Sequence, residues 1–110
     1  MSRVEITQVA FQTLAVLGRY MAVYIGHSSA VGELEKLIDD SCARLADNPA
    51  QYPVCSELAS LGIHDYQQIT FKKYKVLFRN AIETQTVYIT AFMRHRQSAQ
   101  KLLVDYTLLP

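Results

Sequence analysis

The chain of 110 residues is short of several things, and each shortage closes off a class of protein. Its two cysteines, Cys42 and Cys55, are too few and too far apart for a zinc knuckle or a redox pair. Reduced thiols are therefore expected, with Cys42 as a buried structural residue. Only 3 residues are proline and 19% are charged, while 50% are hydrophobic, a balance that argues against disorder and for a packed core. No uncharged apolar run approaches the roughly 18 residues that a membrane span needs. The longest uncharged run, Ile6 to Gly18, is broken up by Thr7, Gln8, Gln12 and Thr13. A basic leader with a small-residue cleavage site is missing too, so a cytoplasmic location without membrane contact is expected. His27 and His64 stand alone in turns, and neither a metal nor any other cofactor is expected.

Net charge is also nearly absent, at +1, but the total conceals an asymmetry. Residues 1 to 63 carry a net of −3. Residues 64 to 110 hold Lys72, Lys73, Lys75, Arg79, Arg94, Arg96 and Lys101 against Asp65, Glu83 and Asp105, a net of +4. That surplus is modest for a dedicated nucleic-acid binder and suits an acidic protein partner at least as well. The length fits one domain over residues 1–110. A domain so small buries a limited share of its surface, so a partner covering apolar area would contribute much of its stability.

The patterning gives the order of elements. Residues 3 to 6 alternate as a half-buried strand does, and Thr7 stands where a helix cap belongs. Ala10, Leu14, Leu17, Met21 and Tyr24 then recur at helical spacing, with Phe11, Ala15, Ala22 and Ile25 widening the stripe. Gly26 predicts the stop, and Ser28 or Ser29 the cap of a second helix. That helix shows Val31, Leu34, Ile38, Cys42 and Leu45 on one face and ends at Asn48-Pro49. Residues 51 to 62 read as a loop with at most one helical turn. Three alternating segments follow: Ile69 and Phe71; Tyr74, Val76 and Phe78; Val87, Ile89 and Ala91. Short breaks at Lys72-Lys73 and at 80 to 85 make them antiparallel neighbours. The expected fold is α+β, in the order β-α-α-β-β-β, with an antiparallel sheet packed against a helical hairpin.

Within this order, Tyr74-Lys75-Val76-Leu77-Phe78-Arg79, a turn, Val87-Tyr88-Ile89 and then Arg94-His95-Arg96-Gln97 resembles the C-terminal half of the RelE/ParE toxins of type II toxin–antitoxin systems. Those proteins read Tyr-Arg-Val-Leu-Tyr-Arg, a turn, Val-Tyr-Ile and His-Arg-Arg at similar spacing. The resemblance implies a toxin silenced by a cognate antitoxin, ParD-like or other, in a hetero-oligomer. It leaves two activities open. RelE-like members cut messenger RNA on the ribosome with a cluster of basic residues, whereas ParE-like members poison DNA gyrase, so the site must decide.

Cleavage next to a ribose hydroxyl needs a proton acceptor and cations facing the phosphate. The first strand after the helices, where RelE-like enzymes place basic residues, reads Gln67-Gln68-Ile69-Thr70 here, and Gln100 stands where a RelE-like tyrosine belongs. The balance therefore favours ParE, a gyrase inhibitor with no catalytic residue. The alternative, a ribosome-dependent endoribonuclease, would use Lys75, Arg79, Arg94 and Arg96 with His95 as base. A third reading is an inactive homologue that only binds antitoxin. Under the first, Arg94, Arg96, Lys101, Leu102, Leu103 and Tyr106 are the expected target contacts, because the C-terminal region is implicated in gyrase inhibition. Phe11, Tyr20, Tyr24, Lys75 and Arg79 are the expected antitoxin contacts. Plainer roles compete: a solvated sheet face for Lys75 and Arg79, ion pairs with the second helix for Arg94, His95 and Arg96, and core packing for Tyr20, Met21 and Tyr24. The apolar tail from Gln97 to Pro110 either packs back on the domain or offers a docking surface.

Overall fold

One hydroxyl decides where the first strand yields to the first helix. In the computed structural model, which describes residues 2–108 and the side chains of 2–106, Arg3–Ile6 forms β1 and Gln8–Ile25 forms α1. Thr7 Oγ1 accepts the Ala10 N–H at 3.1 Å and donates to the Ile89 carbonyl at 2.9 Å, so it caps α1 and ties it to the sheet. Gly26 ends α1 with a φ of 85°, a conformation costly for other residues, and α2, His27–Asp47, begins at once. No serine caps α2. Gly26 takes the cap position, and Ser28 and Ser29 fall within the first turn.

The buried side of α2 is Ala30, Leu37, Ser41 and Leu45, while Leu34, Ile38 and Cys42 are half-buried and Val31 is exposed. This stripe is turned by about one residue from the expected one. Polarity alone would turn Ser41 outward, but its hydroxyl donates to the Leu37 carbonyl at 2.6 Å and is buried satisfied. Cys42 is thus only half-buried, and Cys55 is the fully buried thiol. α2 ends before Pro49, as expected.

A single helical turn, α3 (Ser56–Ala59), follows the Pro49–Gln51 bend. Then come β2 (Gln67–Thr70), β3 (Tyr74–Ala81), β4 (Thr86–Arg94) and a short helix α4 (Ala99–Leu103), which runs on into a wider turn over Val104–Leu108. Residues Leu109 and Pro110 of the expected tail lie outside the described residues. The sheet order is β1-β4-β3-β2. The last three strands pair antiparallel as expected, whereas β1 lies parallel to β4 because the helical hairpin carries the chain across before it returns.

Strand β4 has one residue more than its partner requires. Leu77 pairs with Ala91 and Phe78 with Ile89, so Thr90 is bulged out of the ladder. The bulge reverses the facing of every later side chain. Val87, Ile89 and Phe92 join Val76 and Phe78 under the hairpin, while Ala91 and Met93 join Leu77 on the opposite face. Ala91 therefore does not continue the Val87 and Ile89 face that simple alternation predicts. The opposite face is covered in turn by Cys55, Leu58, Ala99, Leu102 and Leu103, so helical segments lie on both sides of the sheet.

β1 stops opposite Ile89, which leaves the last residues of β4 without a strand on that side. Side chains take over there: Thr13 Oγ1 accepts the Phe92 N–H at 3.0 Å, and Gln97 Oε1 accepts the Arg94 N–H at 3.3 Å. Among the described residues, no helix is long and apolar enough to cross a membrane.

Candidate functional site

Strand register gathers the basic residues that the sequence keeps apart. Tyr74 pairs with Arg94, and the His95 N–H donates to the Lys73 carbonyl at 2.9 Å. The β2–β3 turn is thereby fixed beside the segment leaving β4. Lys72 and Lys73 lie next to Arg94, His95 and Arg96 at one end of the sheet, opposite the last turns of α1. Between them runs an open groove of about 540 Å³, walled on the helix side by Tyr20, Met21, Tyr24 and Ile25.

Two contacts set the shape of this groove. The Arg94 guanidinium sits 4.3 Å from the centre of the Tyr20 ring, and Tyr20 tilts against Tyr24 with centroids 5.0 Å apart. At the base, Tyr74 donates its hydroxyl proton to Glu33 at 2.6 Å. Burial, and then that bond to a carboxylate, push the Tyr74 phenol well above its ordinary range, so it stays a donor. A second hollow of about 240 Å³ continues past Tyr74 between Phe71 and α2. Among the described residues, Arg94, His95 and Arg96 make no ion pair with α2, and Arg94 stacks instead.

The other expected site residues lie elsewhere. Lys75 and Arg79 project from the face of β3 that carries Leu77, away from the hairpin. Arg79 stacks over Tyr88 at 5.1 Å, while Lys75 is half-buried near Glu57. The RNase set is thus split, with Lys75 and Arg79 on one face and Arg94 on the other. The expected antitoxin set divides in the same way, since Phe11, Tyr20 and Tyr24 belong to α1 on the hairpin side. Phe11 stands about 13 Å along the helix from Tyr20.

The C-terminal segment packs back. Leu102 and Leu103, expected at a target surface, are buried, and α4 turns Gln100 and Lys101 outward. Half-buried Tyr106 lines a slot of about 100 Å³ with Phe92 and Arg94. Glu57 anchors this segment by accepting from Ser98 Oγ at 2.6 Å and from the Ala99 and Gln100 N–H groups at 2.8 and 3.1 Å. Burial alone would raise the Glu57 carboxyl, but these bonds and the nearby Lys75 charge together hold it below its ordinary value.

Sequence reasoning missed the contribution of Lys72, Lys73 and Glu33. The lysines read only as a turn, and nothing local ties Glu33 to Tyr74 across 41 residues. Gln67, notable in the sequence only for its lack of charge, anchors the backbone: its Nε2 donates to the Pro49 and Tyr52 carbonyls at 3.2 and 2.8 Å and holds the long loop to β2. Among the described residues, no group of three His, Cys, Asp or Glu side chains could hold a metal ion.

A mixed four-stranded sheet, a helical hairpin on one face, a docked C-terminal helix and a basic sheet end define a small α+β fold shared with the ParE and RelE toxins. A chain of the chromosomal ParDE toxin–antitoxin system of Pseudomonas aeruginosa superposes with a TM-score of 0.67 at 16% identity, over 86% of this chain and 96% of that one. A chain of the Mycobacterium tuberculosis RelBE2 toxin–antitoxin complex gives 0.60 at 18% identity, over 86% and 98%. The isolated Escherichia coli RelE toxin gives 0.51 at 12% identity, over 99% and 100%. No curated protein matches the chain in sequence. The model of the ParE toxin family, from the parDE type II toxin–antitoxin system, matches residues 4–99, and the chain belongs to that family. It is a toxin of a type II toxin–antitoxin system.

Proposed function

We propose that this toxin acts in the cytoplasm by inhibiting DNA gyrase and trapping cleaved DNA, and that a cognate antitoxin binds and silences it. The observation that carries the reading is the division of the cationic side chains between two faces of the sheet. Lys75, Arg79 and Arg94 cannot meet one phosphate, because β3 and β4 aim them in opposite directions and α4 covers the face between Lys75 and Arg79. Phosphoryl transfer needs its cations converged on the group that gains charge. Gln67, Gln68 and Gln100 offer no substitute, since a neutral amide brings neither a cation nor a general base, and the Gln67 amide is in addition committed to backbone carbonyls. Arg94 and Arg96 are then target contacts, with Tyr106 lining a slot beside Arg94 and Lys101 exposed on the docked segment.

One observation favours ribosome-dependent RNA cleavage as a second reading: Arg94, His95 and Arg96 line a single groove. Expression without antitoxin separates the two. Loss of supercoiling with linearised DNA and intact transcripts is the expected result. Transcript cleavage that requires ribosomes would overturn the gyrase reading, and unimpaired growth would mark an inactive antitoxin-binding homologue.

A further inference from the structure

Arg94 is the last residue of β4 and is exposed, a position where a long side chain is least restrained. Its guanidinium rests 4.3 Å from the centre of the Tyr20 ring. An exposed cation–π contact returns less free energy than fixing the rotamers of an arginine costs, so the stack by itself does not hold one conformer. Further restraint comes from the chain that follows. Gln97 closes a turn on Arg94 in both directions, its N–H donating to the Arg94 carbonyl at 3.0 Å and its Oε1 accepting the Arg94 N–H at 3.3 Å. Gln97, Leu102 and Tyr106 then wall, with Thr13 and Phe92, the slot of about 100 Å³ that Arg94 and Tyr20 share.

Three of these walls belong to a segment with little stability of its own. α4 has five residues, too few to persist alone in water, and the N–H groups of its first turn need acceptors. Glu57 supplies two of them, at Ala99 and Gln100, and also accepts from the capping hydroxyl of Ser98. It sits on α3, which packs on the face of the sheet opposite the hairpin that carries Tyr20. The influence of Glu57 on the guanidinium therefore runs through α4. Ser98 follows Gln97 directly, and Leu102 and Tyr106 lie about one and two turns further along. Lys75, otherwise without a part at the sheet end, lies near enough to favour the ionised carboxylate.

We propose that Glu57 is a positioning residue for Arg94: by fixing the start of α4 it holds Gln97, Leu102 and Tyr106 as the wall that keeps the guanidinium on Tyr20, and its effect on toxicity rests on the target contact proposed above. A contact group fixed in advance loses less entropy on binding, so slackening α4 weakens that contact without removing any group that makes it. One freed torsion spreads over three staggered states and two over nine, which lowers apparent target affinity about three- to tenfold.

The test is the NMR order parameter of the Arg94 Nε–H in the full-length toxin free of antitoxin, read without gyrase so that failure of the gyrase reading leaves it intact. In the wild type it should stand well above that of exposed Arg19 on α1, and in Glu57→Ala it should fall toward it while amides 99–103 exchange faster. Ile69→Val, a loss of stability taken from the hairpin side, should leave it unchanged. Inhibition of supercoiling should require more Glu57→Ala toxin by the factor above, and in an Arg94→Lys background Glu57→Ala should cost nothing further. Should Glu57→Ala misfold, Glu57→Gln keeps one acceptor and reads the same quantity. An Arg94 order parameter that stays high while α4 loosens, or one that falls equally in Ile69→Val, would sink the proposal, as would strictly additive losses of inhibition.

Discussion

Ser98 and Glu57, 41 residues apart in sequence, are joined by a 2.6 Å hydrogen bond that closes the N-terminus of α4. Ser98 caps the helix from within by accepting the Lys101 N–H at 3.2 Å, and Glu57 takes the Ala99 and Gln100 N–H groups from outside. A five-residue helix cannot sustain itself in water, so α4 persists through this capping and through the burial of Ala99, Leu102 and Leu103. Replacing Glu57 by alanine removes three acceptor contacts and should cost about 1–2 kcal/mol. Faster amide exchange confined to 99–103, with β1 and α2 unchanged, is the signature. Uniform destabilisation would mean that α4 is not held as a separate unit.

The same carboxyl makes acid a probe of the tail. A glutamate whose acidity is strengthened by folding contributes stability above its ordinary pKa, about 4.3, and loses it as pH falls through the lower folded value. The stability gap between the wild type and Glu57→Gln should therefore be constant near neutrality and shrink below that value. Thermal unfolding of both proteins across the acidic range measures it, and a gap that widens in acid would contradict the assignment.

Thr13 takes the place of a missing strand. Its hydroxyl is the acceptor for the buried Phe92 N–H where β1 has already ended. Thr13→Val keeps the shape but strands that donor, a loss of about 1–3 kcal/mol. Thr13→Ser should recover most of it. Equal denaturation midpoints for the two variants would show that water or backbone movement satisfies Phe92 instead.

Tyr74 should ionise above the ordinary tyrosine range. Its acidity is weakened by folding, so the stability it contributes is complete below the ordinary tyrosine value of about 10 and is lost as pH rises toward the folded one. Tyr74→Phe removes the Glu33 bond, at a cost of about 0.5–1.5 kcal/mol near neutrality. The variant should also lose part of the alkaline fall in stability. Alkaline unfolding curves that superimpose would place the dependence on other tyrosines.

The strands, both long helices and the cap at Thr7 were legible because each rests on neighbours in sequence, through period, turn chemistry or a capping hydroxyl. What escaped depends on pairing at a distance. The Thr90 bulge, invisible to a two-residue period, moves Ala91 to the other face and brings Phe92 under the hairpin. The parallel setting of β1 and the split of Lys75 from Arg94 follow from register. Leu102 and Leu103 look available only while the tail is considered without Leu77 and Met93, the residues that bury them. Burial of Ser41 turned on a hydroxyl finding a carbonyl in its own helix.

Arg94 offers the sharpest separation of charge from geometry at the sheet end. Its planar guanidinium lies on Tyr20, and a lysine there would keep the charge but not the flat stack. Arg94→Lys should lower toxicity clearly while changing stability by no more than about 1 kcal/mol, the usual worth of an exposed cation–π contact. Tyr20→Leu frees the same guanidinium from the other side and should weaken toxicity to a similar degree. If the stacked pair acts as one element, the double variant will be little worse than either single one, since coupled residues do not add. Growth inhibition after induction, compared across the four proteins at matched expression, gives the coupling. Full toxicity in Arg94→Lys would show that charge alone suffices, and strictly additive losses would show that Tyr20 and Arg94 act on the target independently.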